Sequence, residues 1–196
     1  SKVEKKILSR MKKLRFGNPL DKSIDMGPLI SLEQLNRVKR LVECGVEVGA
    51  DIYQCEIPSI LKGYFYPPTL LKNVSPSMDI FQKEIFGPVL SSTTFRTPEE
   101  AVALANNSRY GLSASIWSEN INLALDISPK LKVGVVWINS TNLFDAAVGF
   151  GGYRESGYGR EGGKEGMYEY LEINPDTFRI KKEARAIKEN ISRFKQ

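Results

Sequence analysis

Short β-rich runs alternate with capped helical segments along the chain, and this alternation constrains the fold more than any other feature. β-branched and aromatic residues are concentrated in five runs, at 51–54, 65–71, 89–95, 112–117 and 134–139. Helical segments of about ten residues separate the last three runs, as in strands joined by right-handed crossover helices. Because such crossovers join parallel strands, the sequence predicts an α/β fold layered on a parallel sheet.

Capping signals indicate where the helices begin. The segment Thr97-Pro98-Glu99-Glu100 combines an N-cap, a proline in the first turn and a returning glutamate, and Ser31-Leu32-Glu33-Gln34 forms a capping box. A further helix is predicted from Ile121 to about Leu131, and an amphipathic one from Val3 to Leu14. Near the carboxyl terminus, residues 168–180 are predicted to be an extended tail and residues 181–194 have helical spacing.

The charge distribution argues against a nucleic-acid partner. The net charge is +5, from 28 basic and 23 acidic residues. Residues 1–16 hold seven Lys or Arg against one Glu, and residues 179–196 hold seven against two. The central segment is therefore net acidic, and it lacks any RNA- or DNA-binding motif.

Composition also excludes several kinds of site. Without histidine, the usual zinc, haem and Ser-His-Asp arrangements are absent, and no metal site is predicted. Neither Cys44 nor Cys55 has a histidine or a clear oxyanion loop beside it, so neither is predicted to be a nucleophile. No apolar run is long enough to span a membrane, and a cytoplasmic protein with reduced thiols is expected.

A glycine-rich segment contains a match to the dinucleotide fingerprint G-x-G-x-x-G, in Gly157-Tyr158-Gly159-Arg160-Glu161-Gly162. A working fingerprint follows a strand directly and opens a long helix, so that the phosphates meet the helix N-terminus. Here the nearest predicted strand ends near Asn139, and the sequence after Gly162 is short and interrupted by glycine. We therefore interpret the segment as a folded-back structural loop rather than a phosphate site.

Glu84 and Phe86 are candidates for ligand contact because they lie two residues apart in an extended lead-in to a strand. This spacing directs both side chains to the same side. The carboxylate of Glu84 would suit the vicinal hydroxyls of a ribose, and Phe86 would cover an aromatic ring. The alternative, a surface glutamate and a core phenylalanine, is favoured by residue chemistry alone.

Six ordered motifs together resemble the C-terminal part of the aldehyde dehydrogenase superfamily, over about residues 3–172. They are GNPLDKSIDMGPLI at 17–30, GYFYPPTLL at 63–71, KEIFGPV at 83–89, ANNSRYGLSASIW at 105–117, GVVWIN at 134–139 and GFGGYRESGYGRE at 149–161. The continuation GGKEGMYEYL is most similar to the family-16 aldehyde dehydrogenases. The resemblance implies a three-layer catalytic domain with a parallel sheet at residues 1–166, an extended oligomerisation strand at 167–180, and a basic helical tail at 181–196.

The resemblance also implies a reaction and its partners. Members of the family oxidise small aldehydes to carboxylic acids with NAD or NADP, through a cysteine thiolate and a glutamate-activated water. Glu84 would bind the nicotinamide ribose and Phe86 would lie near the nicotinamide ring. Asn142, Phe144 and Phe150 would line the substrate tunnel, and the protein would be a homo-oligomer.

The departures from the family pattern limit what this chain is expected to do. The nucleophilic cysteine motif, the general-base glutamate and the Rossmann-type cofactor domain are absent from the sequence, and Gly149 replaces the proline of the family's P-F-G-G motif. No catalytic residue is therefore assigned, and the chain is expected to be inactive by itself. A non-catalytic assembly or scaffold module, built on the same fold, is the alternative function.

Overall fold

The computed structural model describes residues 1–58 and 61–171, which divide into two compact units. The first unit, Ser1–Asn107, contains α1 (Lys2–Met11), α2 (Leu32–Glu47), β1 (Asp51–Gln54), β2 (Thr69–Lys72), α3 (Asp79–Gln82), β3 (Val89–Ser91) and α4 (Pro98–Asn106). The second unit, from Ser108 onward, contains β4 (Tyr110–Gly111), β5 (Ser113–Ile116), α5 (Ile121–Ile127), a 3₁₀ turn (Ser128–Lys130), β6 (Val135–Ile138), β7 (Tyr153–Arg154) and α6 (Gly163–Tyr168).

The core of the first unit lies between α2 and a three-stranded sheet of order β1-β2-β3. The middle strand β2 is the most deeply buried, and Leu70 and Leu71 have no exposed surface. Helix α2 contributes Leu35, Val38 and Val42, whose spacing places them on one stripe of the helix. The helix predicted to begin at the Ser31 capping signal is therefore present, and its apolar face forms the core.

Two features fix α2 in place. At its start, the Ser31 hydroxyl accepts a hydrogen bond from the Gln34 backbone N–H at 3.1 Å, so the N-cap half of the predicted capping box is present, while the Gln34 side-chain amide donates to the carbonyls of residues 85 and 86. Near its end, Gly45 lies against Ile80 of α3 so closely that a Cβ atom would be 2.6 Å from the Ile80 Cδ1 atom. A side chain at position 45 would therefore force the buried Ile80 side chain to move.

The second unit contains the predicted βαβ arrangement. Strands β5 and β6 pair in parallel from Ser113–Val135 to Ile116–Ile138, with α5 as the connection between them. The short strands β4 and β7 pair antiparallel, and this pairing brings residues 110–111 beside residues 153–154. No signal in the sequence predicted β4 or β7, because two-residue strands have no detectable periodicity.

The strand pairing is mixed rather than uniformly parallel. Strand β2 pairs in parallel with β3 but antiparallel with β1, so the expectation of a parallel sheet holds for only part of the fold. The run at 65–71 was also predicted too long. Pro67 and Pro68 have no N–H to donate to a neighbouring strand, and β2 begins only at Thr69.

The prediction of an extended segment at 167–180 is wrong where the structure describes it. Met167 and Tyr168 belong to helix α6, in which the Gly166 N–H donates to the Gly162 carbonyl at 2.9 Å. Glycine at position 166 allows the helix to lie close to residue 161, because a Cβ atom there would be 3.0 Å from the Glu161 carbonyl carbon. Residues 172–180 and the predicted helical tail at 181–196 lie outside the described residues.

A loop between α1 and α2 is closed by an ion pair between Arg15 and Asp25. The Arg15 Nε atom donates to Asp25 Oδ2 at 2.9 Å, Nη2 donates to Oδ1 at 3.2 Å, and the Arg15 backbone N–H donates to Oδ2 at 3.0 Å. These hydrogen bonds, first from the side chain and then from the backbone of Arg15, lower the pKa of Asp25 from 3.8 to about 2.

The Asp25 carboxylate is expected to stabilise the fold in a pH-dependent way. Its pKa is lower in the folded chain, so the contribution is present above 3.8 and is lost as the pH falls toward about 2. Asp25→Asn should lower the urea midpoint at neutral pH, and the difference from the parent chain should shrink over this acidic range. A difference that stays constant down to pH 2 would contradict this assignment.

Candidate functional site

The segment carrying Glu84 and Phe86 is attached to α2 through its backbone. The Gln34 Nε2 atom donates to the Ile85 carbonyl at 3.0 Å and to the Phe86 carbonyl at 2.9 Å. One turn further along α2, Arg37 Nη2 donates to the Glu84 carbonyl at 3.0 Å. Two side chains of α2 therefore bind the backbone carbonyls of three successive residues, 84–86. These hydrogen bonds do not involve the side chains of residues 84–86.

The side chains alternate between core and solvent. Ile85 is only 8% exposed and joins the core of the first unit. Glu84 is exposed, and the Phe86 side chain is 69% exposed. Both side chains are therefore exposed, and the alternative of a core Phe86 is wrong, while their position on one side of the segment stays a prediction. Ile85 is the residue that anchors the segment.

Phe86 adopts a strained backbone conformation. Its φ is +58°, in the left-handed region that a bulky residue rarely occupies. The next residue, Gly87, crosses α2 so closely that a Cβ atom would lie 2.8 Å from Val38 Cγ2. Such strain persists only where surrounding contacts enforce it, and it is concentrated at functional positions.

In the second unit, three aromatic rings cluster between β6 and the glycine-rich loop. The Trp137 and Phe150 rings stack with centroids 6.4 Å apart, and Phe144 meets both edge-on, at 5.8 Å from Trp137 and 5.1 Å from Phe150. The Trp137 indole N–H also donates to the Leu143 carbonyl at 2.8 Å. The structure thus brings Phe144 and Phe150 together, as expected of residues that line one tunnel.

Trp137 was not identified as a site residue from the sequence. It lies in the run Gly134-Val135-Val136-Trp137-Ile138-Asn139, which was interpreted as a strand and as one of the six family motifs, with no role given to Trp137. A signal was available, because Trp137 lies near the end of a strand and is followed by several polar residues. Its indole N–H needs an acceptor, which indicates a contact with the following loop.

The glycine fingerprint serves to hold Phe150. The Phe150 N–H donates to the Glu161 carbonyl, and the Glu161 N–H donates to the Phe150 carbonyl, both at 2.7 Å. A Cβ atom at Gly151 would lie 2.1 Å from the Gly159 carbonyl oxygen, so the two sides of the loop touch through backbone atoms. The loop is packed against itself, in agreement with the structural interpretation.

Two details of that interpretation need correction. Strand β7 ends three residues before Gly157, much nearer than the predicted strand, and α6 begins directly after Gly162. The start of α6 is nevertheless occupied, because the Gly163 N–H donates to the Ala146 carbonyl at 2.8 Å. The protein's own carbonyl therefore occupies the position in which a phosphate oxygen would accept a hydrogen bond in a working fingerprint.

The asparagines near the aromatic cluster have different roles. The Asn139 amide accepts from the Ser118 N–H at 2.9 Å and donates to the Ser118 carbonyl at 3.0 Å, so it joins the ends of β5 and β6. Asn142 is exposed and has a φ of +54°, which asparagine tolerates better than most residues. Asn142 is therefore accessible to a ligand, whereas Asn139 is committed to the fold.

Neither cysteine has the surroundings of an activated nucleophile. Burial raises the pKa of the Cys55 thiol, which disfavours the thiolate, and a nearby lysine, Lys12, offsets this only in part. Cys44 is exposed near the end of α2. In residues 1–58 and 61–171, no group of three or more Cys, Asp or Glu side chains is arranged to hold a metal ion. The same residues include no helix with the length and apolar character needed to cross a bilayer.

The chain is similar to known proteins over most of its length. A profile of the aldehyde dehydrogenase family matches residues 1–175. Betaine aldehyde dehydrogenase of Bacillus subtilis (strain 168) is 40% identical over 171 residues, which cover 85% of this chain and 35% of that protein. Aldehyde dehydrogenase 1A1 of Homo sapiens is 39% identical over 173 residues, covering 88% of this chain and 34% of that protein.

A solved structure shares the fold. The crystal structure of betaine aldehyde dehydrogenase from Staphylococcus aureus in complex with NAD+ matches with a TM-score of 0.80 and 40% identity. The match covers 87% of this chain and 35% of that one. The chain thus spans about a third of the length of the relatives it matches.

The strain at Phe86 gives a test that depends on the backbone alone. Because glycine adopts a positive φ without penalty, Phe86→Gly should be more stable than Phe86→Ala by about 1 kcal/mol, measured by urea unfolding. Phe95 is a matched control, since it is 59% exposed and has no positive φ. There the order should reverse, with alanine more stable than glycine. Equal stabilities of the two Phe86 variants would argue against strain.

Proposed function

Since the chain belongs to the aldehyde dehydrogenase family, we propose that it is the C-terminal catalytic-domain portion of an NAD(P)-dependent aldehyde dehydrogenase. In this proposal residues 1–166 form part of a three-layer catalytic domain of the family-16 type. The sequence continuing from Gly162 through Leu171 supports the family-16 assignment. The complete protein would oxidise a small aldehyde to a carboxylic acid, and would be cytoplasmic.

The observation that carries the proposal is that the side chains of Glu84 and Phe86 are exposed while their backbone is held in place by hydrogen bonds. Gln34 and Arg37 bind the carbonyls of the segment, so both side chains remain available. A carboxylate can accept hydrogen bonds from two vicinal ribose hydroxyls, and an exposed ring can pack against a nicotinamide. NAD+ or NADP+, when bound, supplies the acceptor for the hydride that leaves the aldehyde carbon.

The second unit would contribute the wall of the substrate tunnel. Phe144 and Phe150 form an aromatic surface, and Phe144 is 65% exposed. Asn142 lies two residues before Phe144 in the same exposed loop and could offer an amide to the aldehyde group. These residues bind and orient, and no proton transfer or covalent step is assigned to them.

The chain would not carry out the chemical step by itself. Aldehyde oxidation in this family needs a thiolate nucleophile, and the raised pKa of Cys55 opposes that role. Cys44 is exposed near the end of α2. We therefore assign binding and orientation to this chain.

A non-catalytic assembly module is the second candidate function. It is favoured by β1, which lies at one edge of its sheet and exposes 42% of Ile52. Edge strands of this kind can pair with another chain. In either function we propose a homo-oligomer, with residues 167–180 contributing to the contact between subunits and residues 181–196 forming a basic tail.

The cofactor role can be tested on the chain by NMR. With ¹³C-labelled Phe and Glu side chains, addition of NAD+ should shift the resonances of Phe86 and Glu84. Glu84→Gln should weaken NAD+ binding by about tenfold, the size expected when hydrogen bonds lose a charged acceptor. In the same samples, NAD+ with propanal should give no NADH.

Glu119→Gln serves as the control, because Glu119 is also exposed and belongs to the other unit. It should bind NAD+ as the parent chain does. If Phe86 and Glu84 do not respond to millimolar NAD+, the cofactor assignment is wrong. If NADH is formed by the parent chain and is lost in Glu84→Gln, the proposal that the chain only binds and orients is wrong.

A further inference from the structure

The loop that follows β6 exposes apolar side chains around Phe144, and its backbone is attached to the glycine loop only further on, at the Ala146 carbonyl. Leu143, Phe144 and Val148 are 70%, 65% and 60% exposed. Asp145 is the single charged residue between Asn139 and Phe150, and its carboxylate accepts a hydrogen bond from the Ala147 N–H at 2.8 Å. An exposed segment with so little buried surface is not held in place by packing.

Trp137 attaches residues 141–144, the part of the loop that precedes Asp145, to strand β6. Among the described residues, its N–H bond to the Leu143 carbonyl is the one hydrogen bond made by residues 141–144. The same indole ring meets the edge of Phe144 and stacks on Phe150. The Trp137 side chain, which projects from the paired strand β6, thus contacts the loop at Leu143 and Phe144 and again at Phe150.

Phe150 has a second attachment that Phe144 lacks. Its backbone is bonded in both directions to Glu161 of the glycine loop. Phe144 depends instead on its ring contacts and on the carbonyl of the preceding residue. Besides its direct contact with Phe150, Phe144 is thus oriented by two contacts of Trp137, the ring contact and the hydrogen bond to the Leu143 carbonyl.

We propose that Trp137 is a positioning residue that fixes the apolar wall formed by Phe144 and Phe150, so that this wall discriminates between small aldehydes by the length of their apolar chains. The assignment of the wall to substrate rests on the proposed function. Each methylene added to a substrate gains apolar contact only if the wall has a defined shape. A loosened wall binds short and long chains with more similar affinity.

Trp137→Phe removes the N–H donor while keeping an aromatic ring. Chymotrypsin should then cleave after Phe144 about fivefold faster than in the parent chain, the size expected for the loss of one neutral hydrogen bond. Cleavage after Phe95, which is 59% exposed in the other unit, provides the internal reference. Trp117→Phe is the matched control, since Trp117 is 67% exposed, and it should leave the cleavage ratio unchanged.

Ligand selection is tested with hexanamide and propanamide, unreactive amides that resemble a long and a short aldehyde. Titrations followed by the ring resonances of Phe144 and Phe150 should show tighter binding of hexanamide by the parent chain. Trp137→Phe should reduce the ratio of the two affinities by about fivefold, and Trp117→Phe should not. These readouts are independent of NAD+, so failure of the cofactor assignment would not decide them.

Hydrogen exchange of the indole protons in the parent chain tests the proposal even if Trp137→Phe does not fold. The Trp137 indole proton should exchange with solvent more slowly than that of Trp117, because it is bonded to the Leu143 carbonyl. Equal exchange rates of the two indole protons would overturn the proposal. So would an unchanged cleavage ratio or an unchanged affinity ratio in a folded Trp137→Phe variant.

Discussion

The packing of α2 on β2 is the interaction on which the first unit depends, and the same helix attaches the candidate cofactor segment. Its apolar stripe, represented by Val38 and Val42, forms the core with Leu71. Gln34 and Arg37 project from its first two turns and bind the carbonyls of residues 84–86. Because one helix does both, a displacement of α2 would disturb the core and the segment together.

Two of the three glycines of the G-x-G-x-x-G match have structural reasons. The φ angle is +101° at Gly157 and +70° at Gly162, and a Cβ atom at Gly162 would lie 2.9 Å from the Val148 carbonyl oxygen. Glycine allows the backbone to approach a phosphate closely, but it equally allows two stretches of the same loop to approach each other. Gly151 lies against the Gly159 carbonyl, and the Gly163 N–H is bonded to the Ala146 carbonyl. A phosphate site and a self-packed loop differ in what the backbone N–H groups of the loop bind, a phosphate or a carbonyl of the protein. The G-x-G-x-x-G motif does not specify which.

Local signals in the sequence predicted the elements better than their contacts. The caps at Ser31 and Thr97 and the strand at 51–54 are confirmed because each depends on neighbouring residues. The bonds of Gln34 to the segment near Phe86 join residues more than 50 positions apart, and no periodic pattern encodes them. For the same reason the resemblance predicted roles for Phe144 and Phe150 but none for Trp137, whose contacts depend on the loop folding back.

The two candidate binding surfaces are constructed on the same physical principle. Gln34 binds the carbonyl of Phe86, and Trp137 binds the carbonyl of Leu143, so in both cases the backbone rather than an exposed side chain is fixed. A ring that is positioned through its backbone remains exposed to a ligand. Because its conformational freedom is already restricted before binding, less entropy is lost on association. Exposed aromatic residues at these positions are therefore compatible with a stable fold, and the identity of each ring can change without removing the hydrogen bond that places it.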